Sequence, residues 1–340
     1  IQYKFEKPFT CRTIQVKPSG NNFQAQRLTV EASDDGIHYR KVVQLTPPRH
    51  GWQNQDFEMT HSIPETTAKY FRFQYDKDGT EPGSEDLDAA KWKQSLKIKG
   101  IYLSSEARVH QYEGKTGLAW RISHRTSEAE VSKKLCIDRS KMIDITNRVD
   151  ANGRVNWKAP KGRWTILRMG HTSTGHTNAT GGAGAGLECD KFNPEAIRLQ
   201  FDSWFGRAIK EVGEDVASRV LKLFHIDSWE CGSQNWSVTF SDEFKSRRGY
   251  DIYEYLPLMA GIPVDDIDTS ERVLHDVRRT ISELVADKFY QVLKEESHKK
   301  GVKFSGENVS PTMMSDGMLH FKNVDIPMGE YWLHSPTQIG

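Results

Sequence analysis

Apolar positions in the first hundred residues recur as short alternating runs, at 27–33, 37–45, 69–75 and 96–103, with clusters of turn-forming residues between them. Alternation with period two puts successive side chains on opposite faces of a strand, so this part reads as an antiparallel β-sandwich. Between the first two runs, Asp34-Asp35-Gly36 supplies residues that tolerate positive φ in a tight connection. Shorter runs at 134–137, 154–158 and 164–169 carry the β character on to about residue 170.

After Gly175 the period lengthens, and the chain reads as loop, helix and strand in repetition, the pattern of β/α units around a parallel sheet. Asn193 is placed to cap a first helix and Pro194 suits its first turn. Ile197, Phe201, Phe205 and Ala208 recur at helical spacing, and Gly213 ends the segment. The nearly continuous apolar run 220–226 predicts a strand buried on both faces. A longer helix is predicted from Asp268, with Glu271 completing a capping box. Its apolar face is drawn by Val273, Val277, Ile281, Leu284, Val285, Phe289 and Val292, and Gly301 closes it. Strands then follow at 302–305 and 324–328, the second weakened by Pro327.

Each of these three strands leads into a glutamate: Glu230 after Asp227 and Trp229, Glu307 after Gly306, and Glu330 ahead of Tyr331 and Trp332. Side chains at the carboxyl ends of parallel barrel strands converge on one pocket. An apolar wall raises a carboxyl pKa, as a general acid requires, and paired carboxylates beside aromatic rings suit glycoside cleavage. Trp229 and Trp332 are read either as sugar-stacking platforms or as packing residues. His225 and His275 are expected to be structural, because no HExxH spacing marks a metal site.

Composition narrows the classes of partner. Lys plus Arg number 47 against 46 for Asp plus Glu, intermixed along the chain, so no basic stripe signals nucleic acid. No apolar run approaches the roughly 20 residues of a membrane span. Cys11, Cys136, Cys189 and Cys231 lack CxxC spacing and are expected to be free thiols. The glycine-rich stretch 181–186 has neither GxGxxG order nor a Walker lysine, which excludes a phosphate cradle. It is read as an active-site loop bounded by His176 and Asp190, or as a plain connection. The chain opens on Ile1 in a strand-like stretch and stops at Gly340 without a tail, so both ends look cut.

The stretch 176–190, Asn193-Pro194-Glu195-Ala196, His225-Ile226-Asp227-Ser228-Trp229-Glu230, Arg248-Gly249-Tyr250-Asp251 and Pro327-Met328-Gly329-Glu330-Tyr331-Trp332 together resemble glycoside hydrolase family 106, the α-L-rhamnosidases. The resemblance implies an inverting, calcium-assisted hydrolase on a (β/α)8 TIM barrel, with a β-sandwich inserted among the early barrel elements. It also implies an exported bacterial protein acting on rhamnose-containing glycans. Residues 1–105 separately resemble discoidin-like, galactose-binding-like sandwiches.

The expected organisation is therefore a multidomain β plus α/β chain. It comprises a β-sandwich at 1–105, a linking β segment at 106–170 and a partial (β/α)8 catalytic domain at 171–340, and the chain alone is expected to be inactive. On this reading Glu230 is the general acid and Glu330 the second candidate. Asp227, Trp229, Glu307, Tyr331, Trp332, His176 and Asp190 contact substrate. The competing expectations are a non-catalytic carbohydrate-binding protein and a related glycosidase for another sugar.

Overall fold

The computed structural model describes residues 1–19, 28–46, 49–50, 58–75, 96–119, 121–122, 131–178, 181–227, 229, 231–307 and 316–329. In the first part, β1 (Gln2–Pro18), β2 (Leu28–Ser33), β3 (Arg40–Leu45), β5 (Met59–Tyr75) and β6 (Ile98–Ser104) form one antiparallel sheet in the order β3-β2-β5-β1-β6. Between β3 and β5, β4 (Arg49–His50) pairs instead with β7 (Arg121–Ile122). Alternate residues of the large sheet, among them Ile14, Val16, Leu28, Val30, Phe71, Phe73 and Ile101, bury one face as a common core. The β2–β3 connection behaves as its residues predict. Gly36 adopts φ 79°, and Asp35 Oδ1 accepts from the backbone N–H groups of Ile37 and His38, both at 2.8 Å.

Residues 106–119 join this sheet to the helical part through buried polar contacts. The Gln111 N–H donates to the Thr60 carbonyl of β5 at 2.7 Å, and the Thr60 hydroxyl donates to Glu113. In the short helix α1 (Tyr112–Lys115), Lys115 Nζ pairs with Glu271 at 2.7 Å, and both side chains are almost shielded from solvent. Gly261 is required here: its φ is +73°, and a Cβ would come 2.3 Å from the Tyr112 ring.

The expected strands at 134–137, 154–158 and 164–169 do not form. Described residues from 131 to 178 hold short 3-10 turns, isolated bridges such as Ile137↔Val264 and Val149↔Val155, and long exposed stretches. Their apolar side chains, including Ile166 at 55% exposure, have no neighbouring strand among the described residues to reward extended pairing.

Beyond residue 190 the β/α pattern is realised. The Asn193 side chain accepts from the Glu195 N–H at 3.0 Å and caps α2 (Pro194–Phe201), with Pro194 in the first turn. A π-turn at Asp202–Gly206 inserts one extra residue before α3 (Arg207–Val212). That insertion rotates the apolar face by one position, so Ile209 is buried and the expected Ala208 is exposed. α4 (Glu214–Val220) then takes the first residue of the predicted apolar run, leaving β8 as Leu223–Ile226.

After α5 (Phe240–Arg248), the long helix α6 (Ile267–Leu284) starts two residues earlier than the expected capping box. Asp266 is its cap, accepting from Thr269 N–H at 2.7 Å, which leaves Glu271 for Lys115. A second π-turn, Val285–Tyr290, leads into α7 (Gln291–Lys299), and Gly301 follows at φ 71°. The apolar stripe is as expected: Val273, Val277, Ile281, Leu284, Val285 and Val292 are all at most 5% exposed.

The strands β8, β9 (Lys303–Glu307) and β10 (Ile326–Met328) form a parallel sheet in the order β10-β9-β8, with α8 (Gly317–Lys322) between β9 and β10. Pro327 is tolerated because β10 lies at an edge of this sheet. All four cysteines are free thiols. No helix among the described residues is long and apolar enough to cross a membrane.

Candidate active site

The parallel register decides which residues can meet. Ile226 pairs with Gly306 and Glu307 pairs with Met328, so Asp227, one step beyond β8, stands level with Glu307 at the carboxyl edge of the sheet. His225 is structural as expected, its Nδ1 hydrogen-bonded to Ser305 Oγ across β8 and β9 at 2.7 Å. Asp227 is exposed and engaged in polar contact. The expected acids Glu230 and Glu330, with Tyr331 and Trp332, lie outside the described residues.

Glu307 is only 8% exposed, and its backbone carbonyl accepts a hydrogen bond from Tyr290 Oη at 3.0 Å. Burial, reinforced by the Glu307 charge, holds the Tyr290 phenol protonated well above the usual range, which keeps it a donor. His320, fully buried, stacks on the Tyr290 ring with centroids 4.2 Å apart, and among the described residues neither of its ring nitrogens has a hydrogen-bond partner. Burial, against a smaller opposing pull from Asp316, lowers the His320 pKa from 6.5 to about 4.

A buried histidine of this kind gives a pH dependence of defined sign. The folded state binds fewer protons than the unfolded state between pH 6.5 and about 4. The contribution is thus fully present above pH 6.5 and is lost as pH falls towards 4, amounting to about 2–3 kcal/mol by pH 4.5. Thermal melts at pH 7.5 and 4.5 should show that His320→Phe removes part of the acid destabilisation. An identical pH response in both proteins would show that His320 is partnered or solvated.

The structure places three of the expected substrate contacts, Trp229, Asp190 and His176, against the turn that follows β8. Trp229 is 6% exposed; its Nε1 donates to the Gly232 carbonyl at 2.8 Å and its ring meets Phe289 edge-on at 5.5 Å. Its ring and its N–H are thus both engaged within the fold, as the packing reading expects. Asp190 Oδ1 accepts from Phe192 N–H at 2.9 Å and from Gln234 Nε2 at 2.5 Å, so this carboxylate oxygen ties a turn. His176 is half-buried over Gly232, whose φ is +74° and where a Cβ would lie 2.3 Å from the imidazole Nε2. His176 and Asp190 thus both lie against the turn that follows β8.

Sequence reasoning missed Lys191 and Gln234. Lys191 is 6% exposed; its Nζ contacts Glu188 at 2.5 Å and lies 5.5 Å from the Trp229 ring centroid. Gln234 accepts from the Lys191 backbone N–H at 3.0 Å. The neighbourhood of Asp190 was the available clue, but a lysine in a charged loop carries no sign of burial. Among the described residues no three His, Cys, Asp or Glu side chains group to hold a metal ion.

Comparison with known proteins places this geometry. A protein of Formosa agariphila named "Putative beta-glucuronidase" is 36% identical over 203 residues, which cover 59% of this chain and 17% of that protein. The structure of the rhamnosidase from Novosphingobium sp. PP1Y superposes with a TM-score of 0.75 at 24% identity, over 98% of this chain and 30% of that one. This likeness establishes a shared fold for a chain that spans less than a third of either relative's length. The alpha-L-rhamnosidase family model of glycoside hydrolase family 106 matches residues 18–339, and the chain therefore belongs to that family.

Proposed function

We propose that this chain is the central part of a glycoside hydrolase that removes terminal α-L-rhamnosyl groups with inversion. In this reading residues 171–340 contribute strands to a (β/α)8 barrel, and residues 1–105 belong to a galactose-binding-like sandwich. The observation that carries it is the parallel register bringing Asp227 and Glu307 level at the carboxyl edge, where barrel enzymes place their chemistry. Family membership adds the class of reaction.

Glu230, three residues beyond Asp227, serves as the general acid and protonates the leaving oxygen while water attacks the opposite face of the sugar. Inversion needs a base roughly 6.5–9.5 Å from that acid to leave room for the water. Glu307 and Glu330 then act as binding groups for the sugar. Calcium assistance is part of the proposal, but no step is routed through the ion. A glycan-cleaving enzyme of this kind would meet its polymer after export from the cytoplasm.

The test is release of para-nitrophenol by the full-length protein from para-nitrophenyl α-L-rhamnoside, with and without a chelator, beside the corresponding β-D-glucuronide. Rhamnoside cleavage that chelation suppresses supports both sugar and metal. Cleavage of the glucuronide alone would establish the second reading, which the name of the Formosa agariphila relative favours. Binding of rhamnosides by folded protein with no hydrolysis of either compound would reject the enzymatic reading.

A further inference from the structure

The last residue of β9 is held from the helix layer. On the β8 side the ladder runs from the Leu223–Lys303 pair to Ile226–Gly306 and ends there among the described residues, so Glu307 stands one step beyond it. The Glu307 carbonyl accepts from Tyr290 Oη at 3.0 Å, a buried hydrogen bond that arrives from the π-turn between α6 and α7. A side-chain donor thus fixes the strand at the point where one of its ladders stops.

Gly306 lets the phenol come this close. A Cβ there would meet Val324 Cγ1 at 3.2 Å, and Ile226 Cγ1 and Tyr290 Cε1 at 3.3 Å, tighter than side chains ordinarily pack. Tyr290, 2% exposed, is confined on its other sides by His320, stacked at 4.2 Å, by Phe289, edge-on at 5.3 Å, and by Phe304 at 6.4 Å. Its hydroxyl stays protonated, because burial and the Glu307 charge both disfavour the phenolate.

Alternation along the strand puts Phe304 and Gly306 on one face and Ser305 and Glu307 on the other. The first pair lies next to Tyr290 and so marks the helix-packed face. On the second face Ser305 bonds to His225 across the ladder, and one layer further on Glu307 stands level with Asp227. Fixing the Glu307 carbonyl fixes the peptide plane that follows Cα, and with it the direction in which the carboxyl leaves the strand.

We infer that Tyr290 is a positioning residue for Glu307, holding from the helix side of the sheet the carboxylate that binds the sugar from the other. The inference rests on the reading of Glu307 as a sugar-binding group. Tyr290 touches no substrate in this role; it narrows the orientations open to Glu307 at the strand end. A binding contact made equally in the ground and transition states is read in KM rather than kcat.

The experiment measures kcat and KM on para-nitrophenyl α-L-rhamnoside for the full-length protein carrying Tyr290→Phe, Glu307→Gln or both. Calorimetric affinity for L-rhamnose replaces KM wherever turnover is lost. Tyr290→Phe keeps the stacked ring and removes only the hydroxyl, and is expected to raise KM by about 3- to 10-fold with kcat little changed, the range of one lost hydrogen bond. Glu307→Gln should raise KM as well. Adding Tyr290→Phe to it should raise KM no further, because a residue that acts through the carboxylate has nothing left to position.

An unmoved KM in Tyr290→Phe, or the same factor with and without Glu307→Gln, overturns the inference, since a merely structural tyrosine acts alike in both backgrounds. If Tyr290→Phe does not fold, Gly306→Ala decides, because its Cβ presses on the same ring. A KM rise there that disappears in Glu307→Gln supports the role, and an unmoved or additive KM rejects it. Wild-type KM in Glu307→Gln removes Glu307 from sugar binding and the inference with it. A raised KM in Glu307→Gln beside a wild-type KM in Tyr290→Phe overturns the positioning role alone.

Discussion

Replacing Glu230 by Gln is expected to lower kcat on an alkyl or poor-leaving-group rhamnoside by at least about 10²-fold, the usual consequence of losing a general acid. The loss should shrink on an aryl rhamnoside whose phenolate departs with little protonation. Folding should survive, because the turn is held by contacts that do not use position 230: Trp229 Nε1 to the Gly232 carbonyl, Asp190 to Gln234, and the Lys191–Glu188 pair. The leaving-group series is the informative part. Equal losses on good and poor leaving groups would assign Glu230 to sugar binding or to base chemistry instead.

The largest expected effect on stability lies far from that edge. Lys115 and Glu271 pair at 2.7 Å with side-chain exposures of 5% and 12%. Arg278 donates to the Lys115 carbonyl at 3.2 Å, so a second cation stands beside the pair. Burial depresses the pKa of both cations, and Glu271 is the partner that opposes the effect on each. Glu271→Ala would leave the buried Lys115 charge opposed only by the weaker pull of Glu113, at a cost of about 3–5 kcal/mol.

For a unit of this size each kcal/mol corresponds to roughly 2–4 °C in Tm, so a fall on the order of 10 °C is expected by calorimetry. The paired replacement Lys115→Met with Glu271→Leu should cost less, because only Arg278, and no longer Lys115, loses its counter-charge. A single-variant loss below about 1 kcal/mol would show that the pair behaves like an exposed one.

Local signals in the chain were legible where short-range physics governs. Asn193 and Pro194 open a helix because the cap and the fixed φ act within one turn, and the stripe from Val273 to Val292 buries because helical period alone aligns it. The three parallel strands and the acids that follow them were readable for the same reason. Asp266 displaced the expected capping box by two residues, since two good caps stood close together and the chain carries no local measure of which one wins.

The sequence by itself therefore determined the family and the order of the elements beyond residue 190. Tertiary structure alone decided three further matters. The π-turn at Asp202–Gly206 exchanged Ala208 for Ile209 in the core, because packing across the sheet selects the buried side chain. Residues 131–178 stayed without regular strands, because a β-prone run needs a neighbour to pair with. Lys191 and Trp229 became buried partners rather than surface groups, since burial and pairing arise only when two turns distant in sequence are brought together.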